Sequence, residues 1–428
     1  MNCYICASAY SKNKKEPGYQ EVPSLTLINK KPLISYQVEA LLNNGADMVY
    51  ITYPNGNKDI VALFGTNPKV KLIPLNASTG EAGSLGLFGE KQEDILFVPG
   101  NLFFNVDLAR FQAFHEEKGS YITALVHPEP YPQKKDILVL KKDDKGFIIL
   151  PKETSSARDF AYRNIVPTDL CIISSNLLST FDPDETYPLS FHDEVFLPTL
   201  AVEGLYGYRS SEYVIKVGQD KTIEEIEKDI DKGIPEKKNL KNPQKAFFLD
   251  RDGTLNIFGD FIVKADMLKL IPEAAEAVRR INESGDLAVC ITNQPIVARG
   301  EVSISELESI MATLELELGK QGAYLDASYF CPHFPLKKKA SVLEYTCECE
   351  CRKPKIGMLL KAKEALNIDF ESSWFIGDTS QDMQTGNNAS THTALVLSGD
   401  PHPYDKYPNA KVEIEAKNIL EAVEKILF

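Results

Sequence analysis

The chain has 428 residues, of which 43% are hydrophobic, and this length suggests two or three domains rather than one core. Its 61 acidic residues outnumber 47 basic residues and give a formal net charge of −14, which disfavours nucleic acid or an anionic membrane as the main partner. The N-terminus carries no charged leader and no apolar run approaches about 18 residues, so we expect a cytoplasmic protein without a membrane partner.

Residues 1–230 alternate short β-rich runs with helical patterns, which predicts a domain built on a mixed α/β sheet. Three of the runs are predicted strands: 48–51, 95–98 and 121–125. A charged helix is expected near 223–230. Cys3 and Cys6 form a CxxC pair within the first predicted strand, and we interpret them as two small core residues without chemistry.

Four segments of this first domain resemble sugar-phosphate nucleotidyltransferases. They are KPLISYQ at 31–37, EAGSL at 81–85, VPGN at 98–101 and YVIKVG at 213–218. The resemblance implies a scaffold that can bind a nucleotide sugar or mediate formation of a homo-oligomer.

The positions that carry the chemistry of that family are altered in this chain. An active member has a Gly-Gly-x-Gly-Thr-Arg loop after its first strand, whereas residues 7–12 are Ala-Ser-Ala-Tyr-Ser-Lys, and without glycine the backbone cannot approach phosphate as closely. Asn101 and Lys216 replace two acidic metal ligands, and Ser24 takes the approximate place of a catalytic lysine. An ammonium group repels a metal cation. We therefore expect a domain without transferase activity; the alternative is a bifunctional enzyme that supplies its metal site differently.

Residues 231–245 are polar, carry two prolines and have no periodicity, so we predict an interdomain linker followed by a second domain at 246–428. Its predicted elements are a strand at 246–249, a helix opened by Pro272 and closed by Gly285, a strand at 287–291, a helix from Ser303 with a Ser303/Glu306 capping box, a strand near 326–330, a helix at 356–366, a strand at 373–376 and a helix near 380–389. This order predicts a doubly wound, Rossmann-like α/β sheet with an active site at the carboxyl ends of its strands.

The segment 247–256, FFLDRDGTLN, places two carboxylates at the end of an apolar run and before a Gly-Thr turn. Asp250 is the candidate nucleophile for attack on phosphorus, and Asp252 is the candidate acid and base for the leaving group. Asp378 follows a later strand, and it would complete a Mg²⁺ site with the Asp250 carboxylate and the Asp252 backbone carbonyl.

Two further loops after strands carry groups that suit a phosphate. Thr292 and Asn293 can donate hydrogen bonds to phosphate oxygens, and Lys353 can neutralise the charge of the transition state. Each signal alone is also typical of a turn or cap, but their order favours a phosphomonoester hydrolase. With Gly377-Asp378 and Asp382, these motifs resemble the haloacid dehalogenase superfamily, which implies a phospho-aspartyl intermediate and, for this chain, no large cap domain.

Four of the eight cysteines lie between residues 331 and 351. Cys331, His333, Cys349 and Cys351 supply three thiolates and one imidazole, the donor set of a closed structural Zn²⁺ site. Cys347 is interpreted as a thiol that does not bind the metal. Cys351 is preferred as the ligand, because it directly precedes the segment that contains the candidate catalytic residue Lys353.

Cys-x-His followed by Cys-x-Cys-Arg-Lys-Pro resembles the subgroup of heptose bisphosphate and histidinol-phosphate phosphatases, and the long loop between His333 and Cys349 favours the heptose type. The resemblance implies that Arg299 and Arg352 bind the sugar or its second phosphate. Pro295-Ile296 departs from the Ser-Gly typical of the subgroup, which leaves the precise sugar open. We expect a sugar bisphosphate phosphatase of surface polysaccharide synthesis; the alternatives are a histidinol-phosphate phosphatase and a regulatory protein that senses a nucleotide sugar.

Overall fold

The computed structural model describes residues 1–7, 23–75, 82, 84–131, 139–143, 146–150, 164–182, 191–196, 198–199, 202, 204–257, 259, 261–336 and 341–428. The chain forms two compact units. The first contains Met1–Val126, Lys141–Pro151 and Pro167–Asn239, and the second contains His127–Leu140, Lys152–Val166 and Leu240–Phe428. The change of unit after Asn239 falls within the predicted linker, which also contains the short helix Ile234–Lys237. The domain limits 1–230 and 246–428 stay a prediction.

The sheet of the N-terminal half has nine strands among the described residues. In spatial order they are Val70–Leu75, Val49–Pro54, Asn2–Cys6, Ile95–Pro99, Val166–Ile173, Ile122–His127, Leu205–Arg209, Gly146–Leu150 and Val139–Asp143. Asn2–Cys6 pairs in parallel with both of its neighbours, whereas Val166–Ile173 runs antiparallel to Ile95–Pro99. This mixed pairing confirms the mixed α/β sheet predicted for the first domain.

Helices and two short ladders complete this half of the described chain. The helices are Leu33–Asn43, Lys58–Phe64, Leu108–Lys118, Ser175–Leu178, Ile223–Asp231 and Ile234–Lys237, with 3₁₀ helices at Pro23–Leu25 and Leu85–Lys91 and a π-helix at Phe191–Phe196. The ladders pair Leu102–Asn105 with Tyr213–Lys216 and Leu27–Ile28 with Lys31–Pro32. Cys3 and Cys6 are buried in the first strand, as expected for core residues, and burial raises the pKa of the Cys3 thiol to about 12.

The second unit contains a parallel sheet of six described strands. Their spatial order is Ala327–Cys331, Leu287–Asn293, Ala246–Leu249, Trp374–Gly377, His392–Val396 and Ile414–Ala416. The chain starts at Ala246–Leu249, fills one side of the sheet and then returns to fill the other side. The strand order therefore reverses beside Ala246–Leu249, and such a switch point opens a crevice at the carboxyl ends of the strands.

Helices cover both faces of this sheet. They are Ala274–Glu283, Ile304–Gly319, Gly357–Leu366, Ser380–Ala389 and Ile419–Leu427, and 3₁₀ helices lie at Ala265–Met267 and Leu343–Tyr345. Alternate residues of the central strand enter different cores, because Phe247 and Leu249 pack in one apolar cluster and Ala246 and Phe248 in the other. Burial on both faces explains why this strand is a continuous apolar run rather than an alternating one.

Most predicted elements of the second unit match the observed ones within two residues. Ser303 and Glu306 form the expected capping box at the start of Ile304–Gly319. The sequence interpretation missed the strands His392–Val396 and Ile414–Ala416, since strands this short give a weak periodic signal. It also missed the helix Ile419–Leu427. Within the described ranges, no helix is both long and apolar enough to cross a membrane.

Candidate active site and metal centre

The catalytic loop begins where the central strand Ala246–Leu249 ends. The backbone N–H of Asp250 donates to the Ile376 carbonyl at 3.0 Å, which holds the first carboxylate at the switch point. Gly253 has φ +83°, and a Cβ atom there would lie 2.1 Å from Oδ2 of Asp378. Glycine is therefore required both for the backbone conformation and for the close approach of the loop to Asp378.

Asp250 is buried beside a lysine. Its Oδ1 lies 2.8 Å from Nζ of Lys353. Burial raises the pKa of Asp250 to about 7, the Lys353 charge opposes that rise, and the charge of Asp382 adds to it. A poorly solvated carboxylate that faces an ammonium group fits the position of the predicted nucleophile.

Asp252 faces different groups from Asp250. Both of its oxygens accept hydrogen bonds from Arg251, and Asn256 and Gln294 donate one bond each. Burial opposes ionisation of Asp252, but the Arg251 charge and these hydrogen bonds outweigh it and hold its pKa below the ordinary value. The two carboxylates of the loop, one residue apart, therefore have pKa shifts of opposite sign.

Lys353 lies between two carboxylates. Its Nζ donates to Oδ1 of Asp382 at 2.6 Å and to the Ile291 carbonyl at 3.1 Å, in addition to its contact with Asp250. Burial disfavours the charged lysine, but the charges of Asp250 and Asp382 outweigh it and raise the pKa of Lys353. The bond between Lys353 and Pro354 is cis.

Thr292 and Asn293 end the strand next to Asp250, as predicted. The Asn293 amide is engaged with the Lys353 backbone, because Lys353 N–H donates to Oδ1 at 3.0 Å and Nδ2 donates to the Lys353 carbonyl at 3.2 Å. Thr292 is buried, and its Oγ1 accepts a hydrogen bond from Gln294 at 2.9 Å. Asn293 thus fixes Lys353 in place, and a phosphate contact from its side chain would require breaking that pair.

Three carboxylates converge at the switch point. One oxygen from each of Asp250, Asp378 and Asp382 lies within 4.8 Å of the others. Burial, followed by the charges of Asp250 and Asp382, raises the pKa of Asp378 to about 8. Among the described residues no cationic side chain pairs with Asp378, whose Oδ2 accepts from the Asp400 backbone N–H. The excess negative charge and the oxygen donors fit a Mg²⁺ ion at Asp250 and Asp378.

Asp382 is less available to bind a metal ion than the carboxylates of Asp250 and Asp378. Its Oδ1 accepts from Lys353, and its Oδ2 accepts from the backbone and hydroxyl of Thr379 in a capping box at Ser380–Ala389. The Asp252 side chain is outside the carboxylate group, so its predicted part in the metal site rests on its backbone carbonyl alone.

A second group of metal-ligating side chains lies in the loop after Ala327–Cys331. Ligand atoms of Cys331, His333, Cys349 and Cys351 lie within 4.8 Å of one another, with sulfur pairs separated by 3.0 to 3.6 Å. Three thiols and one imidazole at this spacing fit a tetrahedral Zn²⁺ ion. Cys347 is exposed and outside the group.

Arg299 and Arg352 pack against the same aromatic ring. Their Cζ atoms lie 5.3 Å and 5.1 Å from the centroid of Phe334, and Arg299 also lies 4.5 Å from that of Phe261. Arg352 donates to the His333 carbonyl at 3.0 Å, which ties it to the cysteine group. Burial and the nearby Arg299 charge lower the pKa of Arg352, although the cysteines oppose this. Two guanidinium groups this close favour an anionic ligand.

In the first unit, Asn101 and Lys216, which replace the two acidic metal ligands of the family, lie on neighbouring backbone segments. The Val217 N–H donates to the Asn101 carbonyl at 2.9 Å, and the adjacent Lys216 Nζ lies 2.5 Å from Oδ2 of Asp169. Ser24 is fully buried. Residues 8–12 of the altered loop and the landmark residues 81 and 83 lie outside the described residues.

The sequence interpretation assigned no role to several residues that surround the catalytic loop. Arg251, Asn256 and Gln294 bind the carboxylate of Asp252, and the loop at 398–400 contacts Gly253 and Asp378. Arg251 and Asn256 stand within the segment 247–256, but residue type and spacing did not predict these contacts. Gln294 directly follows Thr292-Asn293 in a segment that resembles the heptose subgroup, but its contact with Asp252 was not predicted. The contacts of Gln294 and of the 398–400 loop depend on strand order.

The doubly wound α/β fold and the paired carboxylates define a hydrolase of phosphate esters joined to a nucleotidyltransferase-like unit. Comparison with known families agrees: a HAD-hydrolase-like family model matches residues 350–422, and a nucleotidyl transferase model matches residues 20–254. The chain belongs to the nucleotidyl transferase family through its N-terminal part and to the HAD-like phosphatases through its C-terminal part, and it is a phosphoric monoester hydrolase.

Curated relatives match the C-terminal part. D-glycero-β-D-manno-heptose-1,7-bisphosphate 7-phosphatase of Pasteurella multocida (strain Pm70) is 38% identical over 174 residues, which are 40% of this chain and 92% of the relative. The enzyme of the same name from Yersinia pestis is 40% identical over 157 residues, which are 36% of this chain and 82% of the relative. The solved D,D-heptose 1,7-bisphosphate phosphatase of B. bronchiseptica, complexed with magnesium and phosphate, is 26% identical, with a TM-score of 0.38, and covers 43% of this chain and 98% of its own.

Proposed function

We propose that the second unit is a Mg²⁺-dependent phosphatase that removes the 7-phosphate from a manno-heptose 1,7-bisphosphate. The observation that carries the proposal is the position of Lys353, which contacts both Asp250 and Asp382 beside the unpaired charge of Asp378. The names of the curated relatives support this substrate. The product would serve nucleotide-activated heptose and surface polysaccharide synthesis.

In the proposed reaction, an Asp250 oxygen forms a bond to phosphorus while the bond from phosphorus to the sugar oxygen breaks. The electron pair of the broken bond stays on the sugar oxygen, which takes a proton from the protonated fraction of Asp252. This fraction is small, because the Arg251 charge and the hydrogen bonds to Asp252 outweigh burial and keep its pKa below the ordinary value. The Asp252 carboxylate then accepts a proton from a water whose oxygen attacks phosphorus and frees Asp250 and inorganic phosphate. Lys353 balances negative charge beside the reacting phosphoryl group.

The metal would be held by carboxylate oxygens of Asp250 and Asp378 and by the backbone carbonyl of Asp252. A bound Mg²⁺ supplies charge neutralisation at the phosphoryl oxygens. Asp378 suits this role, since its neighbours Asp250 and Asp382 are both negative. Thr292 lies on the neighbouring strand and would donate to a phosphate oxygen.

The second phosphate of the substrate would bind Arg299 and Arg352 beside Phe334. A guanidinium pair gives charge-assisted hydrogen bonds to a phosphate, each about twice as strong as a neutral one. This pair is the reason to prefer a bisphosphate over histidinol phosphate, which has a single phosphate. Pro295 and Ile296 replace the Ser-Gly typical of the subgroup, so the exact sugar stays open.

We expect the protein to hydrolyse the heptose bisphosphate at least about 10-fold more efficiently than histidinol phosphate or sugar monophosphates, since each lost charged hydrogen bond weakens binding by about 1.5–3 kcal/mol. Arg352→Met should raise KM for the bisphosphate by about 10-fold or more with little change for a monophosphate. A phosphate-release screen over these substrates measures both effects. Arg279→Met, at a half-exposed helix position, is the control. Preference for histidinol phosphate would instead support the alternative function.

The cysteine group is proposed to bind one structural Zn²⁺ that fixes the loop around Lys353. All four ligand positions are filled by protein, whereas a catalytic zinc keeps one position open. Arg352 and Lys353 directly follow Cys351, and Arg352 also donates to the His333 carbonyl. The metal would therefore hold both basic residues in place.

Metal analysis of the purified protein should give about one zinc per chain. Cys349→Ser should lose that zinc and lower the melting temperature, because metal binding contributes directly to folding of such loops. Cys347→Ser is the matched control, since Cys347 is two residues away but exposed and outside the group. Full zinc content in Cys349→Ser would contradict the assignment.

We further propose that the first unit has lost nucleotidyl transfer and serves as a scaffold or nucleotide-sugar sensor. The Lys216 ammonium pairs with Asp169 beside Asn101, so a positive charge already occupies the neighbourhood of the altered ligand positions. A divalent cation would have to compete with the Lys216 ammonium for the Asp169 carboxylate.

Incubation with heptose or hexose 1-phosphates, Mg²⁺ and each nucleoside triphosphate should release no more pyrophosphate than the Asn101→Ala variant does. Pyrophosphate release above that control would instead establish a bifunctional enzyme. Thermal shifts with nucleotide sugars test the sensor role separately, and tight binding with negligible phosphatase turnover would make sensing the main function.

A further inference from the structure

Arg251 is a fully buried arginine whose guanidinium binds the carboxylate of the next residue, Asp252. It is 1% exposed, and it donates three hydrogen bonds to Asp252, from Nε to Oδ1 at 3.1 Å and from Nη2 to both oxygens at 2.9 Å. Its remaining nitrogen, Nη1, lies 3.8 Å from the sulfur of Met311 on the helix Ile304–Gly319. The guanidinium is therefore packed against the core on one side, and its Nε and Nη2 groups both donate to the Asp252 carboxylate.

Two amides complete the environment of Asp252. Asn256 Nδ2 donates to Oδ1 at 3.1 Å and also to the Ile257 carbonyl, while Gln294 Nε2 donates to Oδ2 at 2.8 Å and also to Thr292 Oγ1. Each amide nitrogen has two acceptors, so the opposite amide orientation would place oxygen against oxygen. Asn256 is fully buried and Gln294 is 2% exposed.

We infer that Arg251, Asn256 and Gln294 are positioning residues that hold the Asp252 carboxylate in the orientation needed for proton transfer. The inference rests on the proposed phosphatase function. Every oxygen of Asp252 has at least two donors, which restricts the side chain to one orientation. Proton transfer to a leaving oxygen requires such a fixed acid within hydrogen-bond reach.

Gln294 also connects two parts of the site. Its single amide nitrogen bonds both to the acid and base Asp252 and to Thr292, which is placed to contact the phosphate. The strand Leu287–Asn293 and the catalytic loop are thus joined by a hydrogen bond that the backbone pairing of the sheet does not supply. Loss of this amide should disturb the acid more than the nucleophile Asp250, which it does not contact.

The dependence on the leaving group separates positioning of the acid from a general structural role. A nitrophenolate leaves without a proton, whereas an alkoxide requires one, so a defect in the acid affects alkyl phosphates selectively. The ratio kcat/KM covers only the steps up to departure of the leaving group and excludes later hydrolysis of the phospho-enzyme. The comparison uses p-nitrophenyl phosphate and the best alkyl phosphate of the wild-type screen.

Gln294→Leu should lower kcat/KM for the alkyl phosphate about 10-fold or more beyond its effect on p-nitrophenyl phosphate. Arg251→Lys keeps the charge but loses the planar fork, so it should show the same selectivity to a smaller extent. Gln321→Leu and Arg279→Lys are matched controls at exposed and half-exposed positions and should change neither substrate. Melting temperatures are recorded for all four variants.

A double-mutant cycle provides the decisive measurement. In an Asp252→Asn background, Gln294→Leu should cause less than about 3-fold further loss on the alkyl phosphate, because the acid that it positions is already absent. Equal losses for both substrates, or losses that add fully in the double variant, would overturn the positioning role. If the wild-type protein hydrolyses neither substrate, the phosphatase proposal fails, and the positioning inference fails with it.

Discussion

Replacing Asp250 with asparagine should lower phosphate release by about 10⁴-fold or more, equivalent to about 5.5 kcal/mol of activation free energy. The amide oxygen is a poor nucleophile, and Asp382, the other carboxylate beside Lys353, is already engaged by Lys353 and Thr379. The loss should occur without unfolding, because burial disfavours the Asp250 charge and its removal relieves repulsion with Asp382. Steady-state phosphate release and the melting temperature, measured on the same sample, check both parts.

Asp252→Asn is the comparison for this prediction. Asparagine cannot give up a proton to the leaving group or accept one from water, so turnover should fall by about 10²–10⁴-fold. A good leaving group should still allow a phosphoryl group to accumulate on Asp250, which intact-protein mass spectrometry detects. Full activity in either variant would remove the assignment of the two carboxylates.

Replacing Lys353 with methionine should reduce both activity and stability. Methionine has a similar length but no charge, so Asp250 and Asp382 lose their shared cation within the core. Removing one partner of a buried ion pair costs about 3–5 kcal/mol, and removing one charge stabiliser of a transition state costs about 10²–10³-fold in kcat. We expect a clear fall in melting temperature in the absence of divalent ions.

Lys355→Met is the matched control for that change. Lys355 is two residues away, but it is exposed, and within the described part of the chain its ion pairs are with the exposed carboxylates of Glu348 and Glu350. Exposed ion pairs contribute about 0–1 kcal/mol, so neither activity nor melting temperature should change measurably. Wild-type activity in Lys353→Met would show that this lysine is structural only.

The sequence predicted the second sheet well because its strands are continuous apolar runs that end in loops with distinctive residues. The positions of Asp250, Thr292 and Asp378 after strands could be read from that pattern, and parallel pairing then brings their loops to one edge. The role of Gly253 was also visible, since the sharp turn directly after the two carboxylates requires a residue with conformational freedom.

The partners of these side chains could not be predicted from the sequence. From the sequence, the Asn293 side chain was predicted to bind a phosphate oxygen. In the structure it forms hydrogen bonds with the backbone of Lys353, 60 residues later in the chain. Asp252 pairs with Arg251, although residues one apart in a strand point to opposite faces; the loop that begins at Asp250 removes that restriction. Such contacts depend on loop conformation rather than on local periodicity.

In the first unit the sequence identified altered positions, but their new environment depended on the fold. Lys216 was recognised as unsuitable for a metal site, whereas its pairing with Asp169 became visible only in the structure. Asp169 has φ +64° within a strand, a conformation that no sequence pattern signals.

The sequence by itself determined the family of this protein and predicted the order of its candidate catalytic groups and the types of ligand in its two candidate metal sites, because these are properties of residue type and spacing. The tertiary structure decided which carboxylates share Lys353, which donors hold Asp252, and that Arg299 and Arg352 meet at Phe334. Those pairings follow from strand order and burial, which join residues distant in the chain and fix the charge that each group faces.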